Sequence, residues 1–268
     1  MATLLTAALL GVIQGLTEFL PVSSSAHLIL ARAFFGWDPD RFGLPFDVAL
    51  HAGTLVAVLA YFQADIREMI TAIPGMLTAP AGAGKLARLI VIGTLPVVVV
   101  GVLAADWLEA HLRTPVVIAV TLAVGGIALL LAERLGAQRR TEDSLTVADA
   151  LVMGVGQSTA LVPGMSRSGS TIAVGMLLGM TRESAARFSF LLGIPAIAAA
   201  AAKEGLHLLH GGLSREDMLL FAVGMAVSAA VGYLTIRFFL RFLVGHRLDV
   251  FAYYRLALAA VTVIWLMR

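Results

Sequence analysis

The stretch Gln14-Gly-Leu-Thr-Glu18-Phe-Leu-Pro21-Val-Ser23-Ser24-Ser25-Ala-His27 interrupts an apolar region that runs from residue 3 to residue 36. Gln14 and Glu18 are four apart, so a helix places them on one face. Pro21 then breaks that helix. Three serines follow, the residue type favoured at a helix N-cap, where free backbone N–H groups and the positive dipole end are presented. His27 lies three residues past Ser24, on the same face of the new helix. A glutamate inside apolar sequence either works or is paired. Neither half of the region reaches the roughly 20 residues that one bilayer crossing takes. A pair of short helices that enters and returns is therefore expected, and such backbone is tolerated only around a protein-lined cavity.

The pattern recurs. Gly154-Val-Gly-Gln157 repeats Gly11-Val-Ile-Gln14 at an offset of 143 residues, and Ser166-Arg167-Ser168 falls where Ser23-Ser24-Ser25 fell. Pro163 precedes the second cluster as Pro21 precedes the first. The second apolar region, 147–180, is thus broken in the same way, at Val162-Pro163-Gly164. Arg167 adds a permanent charge with a planar donor fork suited to phosphate, and the glycines beside it let backbone approach a bulky anion.

Composition sets the frame for both clusters. The chain has 268 residues, 59% hydrophobic and only 13% charged, against about 25% charged in soluble domains. This is the composition of a protein with lipid around most of its surface. A net charge of +2 gives no argument for nucleic acid, and the absence of cysteine excludes disulfides and thiolate metal sites. The first basic residue is Arg32, so no cleavable signal peptide is expected.

Full spans are expected near 46–63, 87–105, 115–133, 184–202, 216–237 and 250–267. The fold class is therefore an all-α integral membrane protein with six transmembrane helices and two re-entrant helix pairs. It is one membrane domain over 1–268. Three crossings lie between the two clusters, so the second enters from the opposite face. That makes an inverted-topology repeat of approximately 1–140 and 141–268, an architecture that puts its site near the midplane. Six crossings leave both termini on one side. That side holds six basic residues: Arg32, Arg41, Arg113, Lys203, Arg215 and Arg268. The other holds twelve: Arg67, Lys85, Arg88, Arg134, Arg139, Arg140, Arg182, Arg187, Arg237, Arg241, Arg247 and Arg255. The excess marks the cytoplasmic side, so both termini should face outward and the charged run Glu133–Asp149 should be a cytoplasmic loop.

Two helix N-termini converging from opposite faces, with Arg167, up to seven hydroxyls, His27 and Glu18 around them, describe an anion site within the membrane. A diphosphate headgroup on an apolar tail fits it. The plain alternatives are that the serines only cap a helix, that His27 is a buried structural histidine, and that Glu18 and Arg167 form only a structural ion pair. His51, inside a span, is a further candidate. Asp47 is expected at a solvated span end, and His207 and His210 in a surface loop by Gly211-Gly212. A lipid-phosphate flippase would carry the same charges, but it has no use for a serine with a base beside it.

Gln14–His27 and Pro163–Gly169, together with Asp47–Thr54 and Phe188–Pro195, resemble the undecaprenyl-diphosphate phosphatases, also known as bacitracin-resistance proteins. The resemblance covers nearly the whole chain. It implies catalytic residues Glu18, Ser24, His27 and Arg167 and substrate binding by Gln14, Ser23, Ser25, Ser166, Ser168 and Gly169. It also implies a requirement for a divalent cation, Mg2+ or Ca2+; Glu18 would bind that metal or orient His27. Position 14 is Gln where many relatives have Glu, which weakens a ligand role there. The implied setting is the bacterial cytoplasmic membrane, with the site open to its outer face. The partner would be a polyprenyl diphosphate lipid, and a homodimer stays open as an assembly. Ser24 is the candidate nucleophile with His27 as its proton acceptor; direct attack by His27, or by a water it activates, is the rival.

Overall fold

The computed structural model describes residues 2–211 and 214–268, and among these the regular structure is helical throughout. Among the described residues six helices are long and apolar enough to cross a membrane. They are α3 (Leu44–Tyr61), α5 (Gly82–Leu112), α6 (Pro115–Leu135), α9 (Arg182–Gly211), α10 (Arg215–Gly245) and α11 (Asp249–Leu266). All six expected spans are present. Helices α5, α9 and α10 run longer than expected, to 31, 30 and 31 residues, and Pro96 and Pro195 lie inside α5 and α9 without ending them. Since α9 continues to Gly211, His207 and His210 stand on a helix and not in a loop; their side chains, and Gly212, lie outside the described residues.

The two apolar regions with internal breaks are each two short helices. The first is α1 (Ala2–Thr17) and α2 (Ser24–Phe35); the second is α7 (Val147–Ser158) and α8 (Arg167–Leu177). Among the described residues one further α-helix, α4 (Gln63–Thr71), lies between the spans. Local chemistry explains the starts. Ser23 and Ser166 accept from the backbone N–H of Ala26 and Gly169, and Thr146 with Asp149 forms a capping box at α7. Helix α1 packs against α10, and α7 against α5. Small residues permit both crossings: a Cβ on Gly11 would stand 2.7 Å from the Gly224 carbonyl, and one on Gly154 would overlap the carbonyl of Gly93. Phe19, in the first break, is fully buried edge-on to Phe190 of α9, 5.3 Å between ring centres. The break is thereby fixed into the main core.

The outer surface is apolar. Val102 and Leu103 of α5 are 81% and 80% exposed, which suits lipid and not water. Three expectations about charge need correction. Asp47 is not solvated: it is buried in the first turn of α3, bonded to Arg32 at 2.6 Å and paired with Arg113. Glu133 is not a loop residue: it is buried on α6, paired with Arg182 and accepting from the Leu248 N–H at 3.0 Å. Arg255 is not at a cytoplasmic edge: it is wholly buried on α11, so the twelve loses one member and becomes eleven.

Candidate active site

The two breaks meet and interlock. Ser25 Oγ accepts from the Gly164 N–H at 3.2 Å, and Ser168 Oγ donates to the carbonyls of Glu18 and Leu20 at 3.2 and 3.1 Å. Arg255 ties them from below. Its guanidinium donates to the carbonyls of Pro21, Gly164 and Met165, and to Thr121 and Leu122 of α6. This arginine has carbonyls for partners where a buried charge usually has a carboxylate. Three of the carbonyls it serves, those of Pro21, Gly164 and Met165, lie in the breaks, where helix ends leave acceptors without donors.

Ser23 and Ser166 share an uncommon backbone conformation, with φ of 75° and 70°. Non-glycine residues hold positive φ only where the surroundings impose it. In both copies the serine hydroxyl caps the following helix and lies 3.2–3.3 Å from the hydroxyl two residues on, Ser25 and Ser168 respectively. The same local geometry thus recurs 143 residues apart, and the turn delivers Ser24 in one copy and Arg167 in the other to a common cavity.

That cavity, about 240 Å³, has a polar floor of Glu18, Ser23, Ser24, Ser25, His51, Gln157, Ser166 and Arg167. Its remaining wall is apolar: Val48, Val97, Ala160, Leu161, Ala196, Ile197 and Ala200. Glu18 is the hub. Its Oε1 accepts from Arg167 Nη2 at 3.0 Å. Its Oε2 accepts from Ser24 Oγ at 2.7 Å and Gln14 Nε2 at 3.1 Å, and lies 3.4 Å from His51 Nε2. Arg167 also donates to the Ser189 carbonyl at 3.2 Å, and its guanidinium lies so close against Gly193 that a Cβ there would overlap it.

The structure brings Glu18, Ser24 and Arg167 together and leaves His27 aside. Nδ1 of His27 donates to the Ser23 carbonyl at 2.7 Å, and Nε2 accepts from the Tyr254 hydroxyl at 2.7 Å, with the two rings stacked. Both ring nitrogens are therefore committed, and Ser24 turns to Glu18. His51, a secondary candidate on sequence, is the histidine at the cavity, oriented by the Asp47 carbonyl at 2.8 Å. Of the seven expected hydroxyls, Ser23, Ser24, Ser25 and Ser166 line the cavity. Ser168, Ser170 and Thr171 bond elsewhere, and so do not. Gln14 supports Glu18 from behind, and the Gly169 N–H is used by the Ser166 cap. Two residues outside the expected site bear on its geometry: Arg255 ties the breaks together, and Gln157 lines the cavity. Arg255 was legible as an arginine inside an apolar span. Gln157 was legible as the partner of Gln14 in the repeat.

For a divalent cation the donor set is partial. Glu18 is the one carboxylate lining the cavity, both its oxygens are engaged, and among the described residues no group of three or more His, Asp or Glu is placed to hold a metal. The buried Oε1 of Gln14 beside it has no partner, a hard oxygen of the kind Mg2+ and Ca2+ accept.

Fold and cavity together define a class: multi-pass helical membrane proteins with a charged, hydroxyl-rich site buried where two broken helices meet. The chain belongs to the family described as Bacitracin resistance protein BacA, which matches residues 7–261. It is 48% identical to an undecaprenyl-diphosphatase of Rubrobacter xylanophilus over 97% of each chain. It is 45% identical to one of Moorella thermoacetica over 99% of this chain and all of the relative. One from Hahella chejuensis is 44% identical over 98% of both.

Proposed function

We propose that this protein hydrolyses undecaprenyl diphosphate to undecaprenyl phosphate and inorganic phosphate, returning the lipid carrier to cell-wall synthesis and conferring bacitracin resistance. The observation that carries the reading is the serine hydroxyl of Ser24 bonded to Glu18 beside Arg167, in a cavity whose other wall is apolar. Phosphoryl transfer asks mainly for in-line positioning and charge neutralisation. Arg167 and the N-termini of α2 and α8 hold the diphosphate. Ser24 Oγ attacks the terminal phosphorus as Glu18 takes its proton; the bond to the bridging oxygen breaks, and the prenyl phosphate leaves with that proton. Water then attacks the phosphoserine as Glu18, ionised again, takes a proton from it; the bond from phosphorus to Oγ breaks, inorganic phosphate leaves, and Glu18 returns the proton to Ser24. The 2.7 Å bond favours Glu18 over His27 as proton acceptor; His27 holds the Ser23 carbonyl and hence the turn.

A Mg2+ or Ca2+ ion bound here would neutralise charge on the diphosphate. Glu18 and Gln14 would hold it, the remaining ligands coming from substrate oxygens and water. The two helix pairs are re-entrant halves of an inverted repeat, a reading supported by the matched turns at Ser23 and Ser166 and by the parallel packing of α1 on α10 and α7 on α5. The cavity draws on the first two turns of α3 and the later half of α9. In alternating spans these lie toward the side of the termini, which the basic residues assign to the outside of the cytoplasmic membrane. Each chain carries a whole site, so a homodimer would hold two independent ones.

The test is phosphate release from farnesyl and undecaprenyl diphosphate by purified protein, with and without chelator. Turnover abolished by Ser24→Ala is expected. Binding of the lipid with no phosphate release by the wild type would make the protein a carrier and not a hydrolase.

A further inference from the structure

Gln157 is 1% exposed and lines the cavity, yet neither its Nε2 nor its Oε1 has a hydrogen-bond partner. Leaving a buried polar atom unpaired costs about 1–3 kcal/mol, so a leucine of similar size would serve packing better. The repeat explains why the amide is free. Gln14 and Glu18 are four apart, and the first donates to the second. The positions 143 residues on are Gln157 and Leu161. In the second copy the acceptor is replaced by a hydrocarbon, and Leu161 lines the cavity too.

The surroundings say what the amide meets. Ala160 and Leu161 follow it by one turn. Gly154, on the same helix, packs against Gly93 and Pro96 of α5, which brings up Val97. Gln157 therefore lines the cavity with the apolar Ala160 and Leu161 next along its own chain, while Ser24 and Arg167 are joined to each other through Glu18.

We propose that Gln157 is a substrate-binding residue that holds the phosphate attached to the prenyl chain, the one that stays with the lipid after cleavage. Its Nε2 donates to a non-bridging oxygen of that phosphate, and its Oε1 takes a water that enters with the headgroup. The terminal phosphate is held by Arg167 and attacked by Ser24. This assignment rests on the phosphatase reading above, and it gives the second half of the repeat a task of its own: the first half reacts, the second orients the lipid end.

Gln157→Leu and Gln157→Glu in the full chain test it, read by steady-state kinetics on farnesyl diphosphate and by thermal melting with farnesyl monophosphate or inorganic phosphate. In Gln157→Leu, KM is expected to rise about tenfold or more, the equivalent of one charge-assisted hydrogen bond, with kcat within a few-fold. Its melting temperature without ligand should be equal to or above wild type, since an unpaired amide is gone. Stabilisation by farnesyl monophosphate should be lost and that by inorganic phosphate kept. Gln157→Glu should bind farnesyl monophosphate more weakly still. A lower melting temperature with unchanged KM would assign Gln157 a packing role and overturn the proposal. Equal loss of both ligand effects would move the amide to the terminal phosphate and also overturn it. If the wild type releases no phosphate, the phosphatase reading falls, while the monophosphate melting arm still decides whether Gln157 holds a lipid phosphate.

Discussion

Arg167 and Glu18 stand 149 residues apart in the chain, yet Nη2 of the arginine donates to Oε1 of the glutamate at 3.0 Å. The pair closes the two breaks on one another and presets both charges before substrate arrives. In the proposed reaction a diphosphate entering the cavity would compete with Glu18 for the guanidinium and so free the carboxylate for the serine proton.

Arg167→Lys keeps the charge and loses the planar fork. Activity should fall on the order of 10²-fold, as when a preorganised donor is removed from a transition state. Gly193→Ala should produce a comparable loss without touching a charge, because the new methyl group takes the space of the guanidinium. Phosphate release assays on both variants check this. Activity within a few-fold of wild type in Arg167→Lys would tell against a phosphate clamp.

Ser24 and Glu18 share a hydrogen bond, whereas Ser24 and His27 do not. Groups that act as a unit show non-additive losses. Ser24→Ala and Glu18→Gln should each cost about 10³-fold or more in kcat, with the double variant little worse than either. Losses in Ser24→Ala and Tyr254→Phe should instead add, since the tyrosine acts only on the turn. Were the Ser24 hydroxyl only a structural partner of Glu18, Ser24→Ala would cost about 1 kcal/mol of stability and leave turnover near normal.

Arg255→Met removes the donor for carbonyls of both breaks and of α6. Each buried acceptor left without a partner costs about 1–3 kcal/mol. A loss of stability on the order of 3 kcal/mol is expected, seen as a fall of several degrees in the melting temperature of detergent-solubilised protein. A variant that melts like wild type would show that water can replace the arginine.

Topology is open to a direct check. A reporter fused after Arg268 should report the outer side, and one placed in the 136–146 loop should report the cytoplasm, following the excess of basic residues. A cytoplasmic C-terminus would reverse the orientation of the cavity with it.

Much of this was visible in one dimension. The six spans follow from apolar length, and both breaks from proline and serine punctuation. Glu18, Ser24 and Arg167 stood out because charged and hydroxyl groups are costly in lipid. What was misread were side chains whose partners lie far along the chain. His27 is near Ser24 in sequence, but its ring is held by Ser23 and Tyr254, 227 residues away. Asp47 looked solvated because Arg113, which covers it, comes 66 residues later.

The sequence by itself determined a membrane protein of six spans with two polar clusters in matched, broken helices, because local rules of hydropathy, capping and proline geometry act over a few residues. Only the tertiary structure decided which groups meet. It turned Ser24 toward Glu18, placed His51 at the cavity and His27 outside it, and left the Gln157 amide buried with no partner. Those outcomes depend on hydrogen bonds across long chain separations, which one helix cannot supply to another until both are packed.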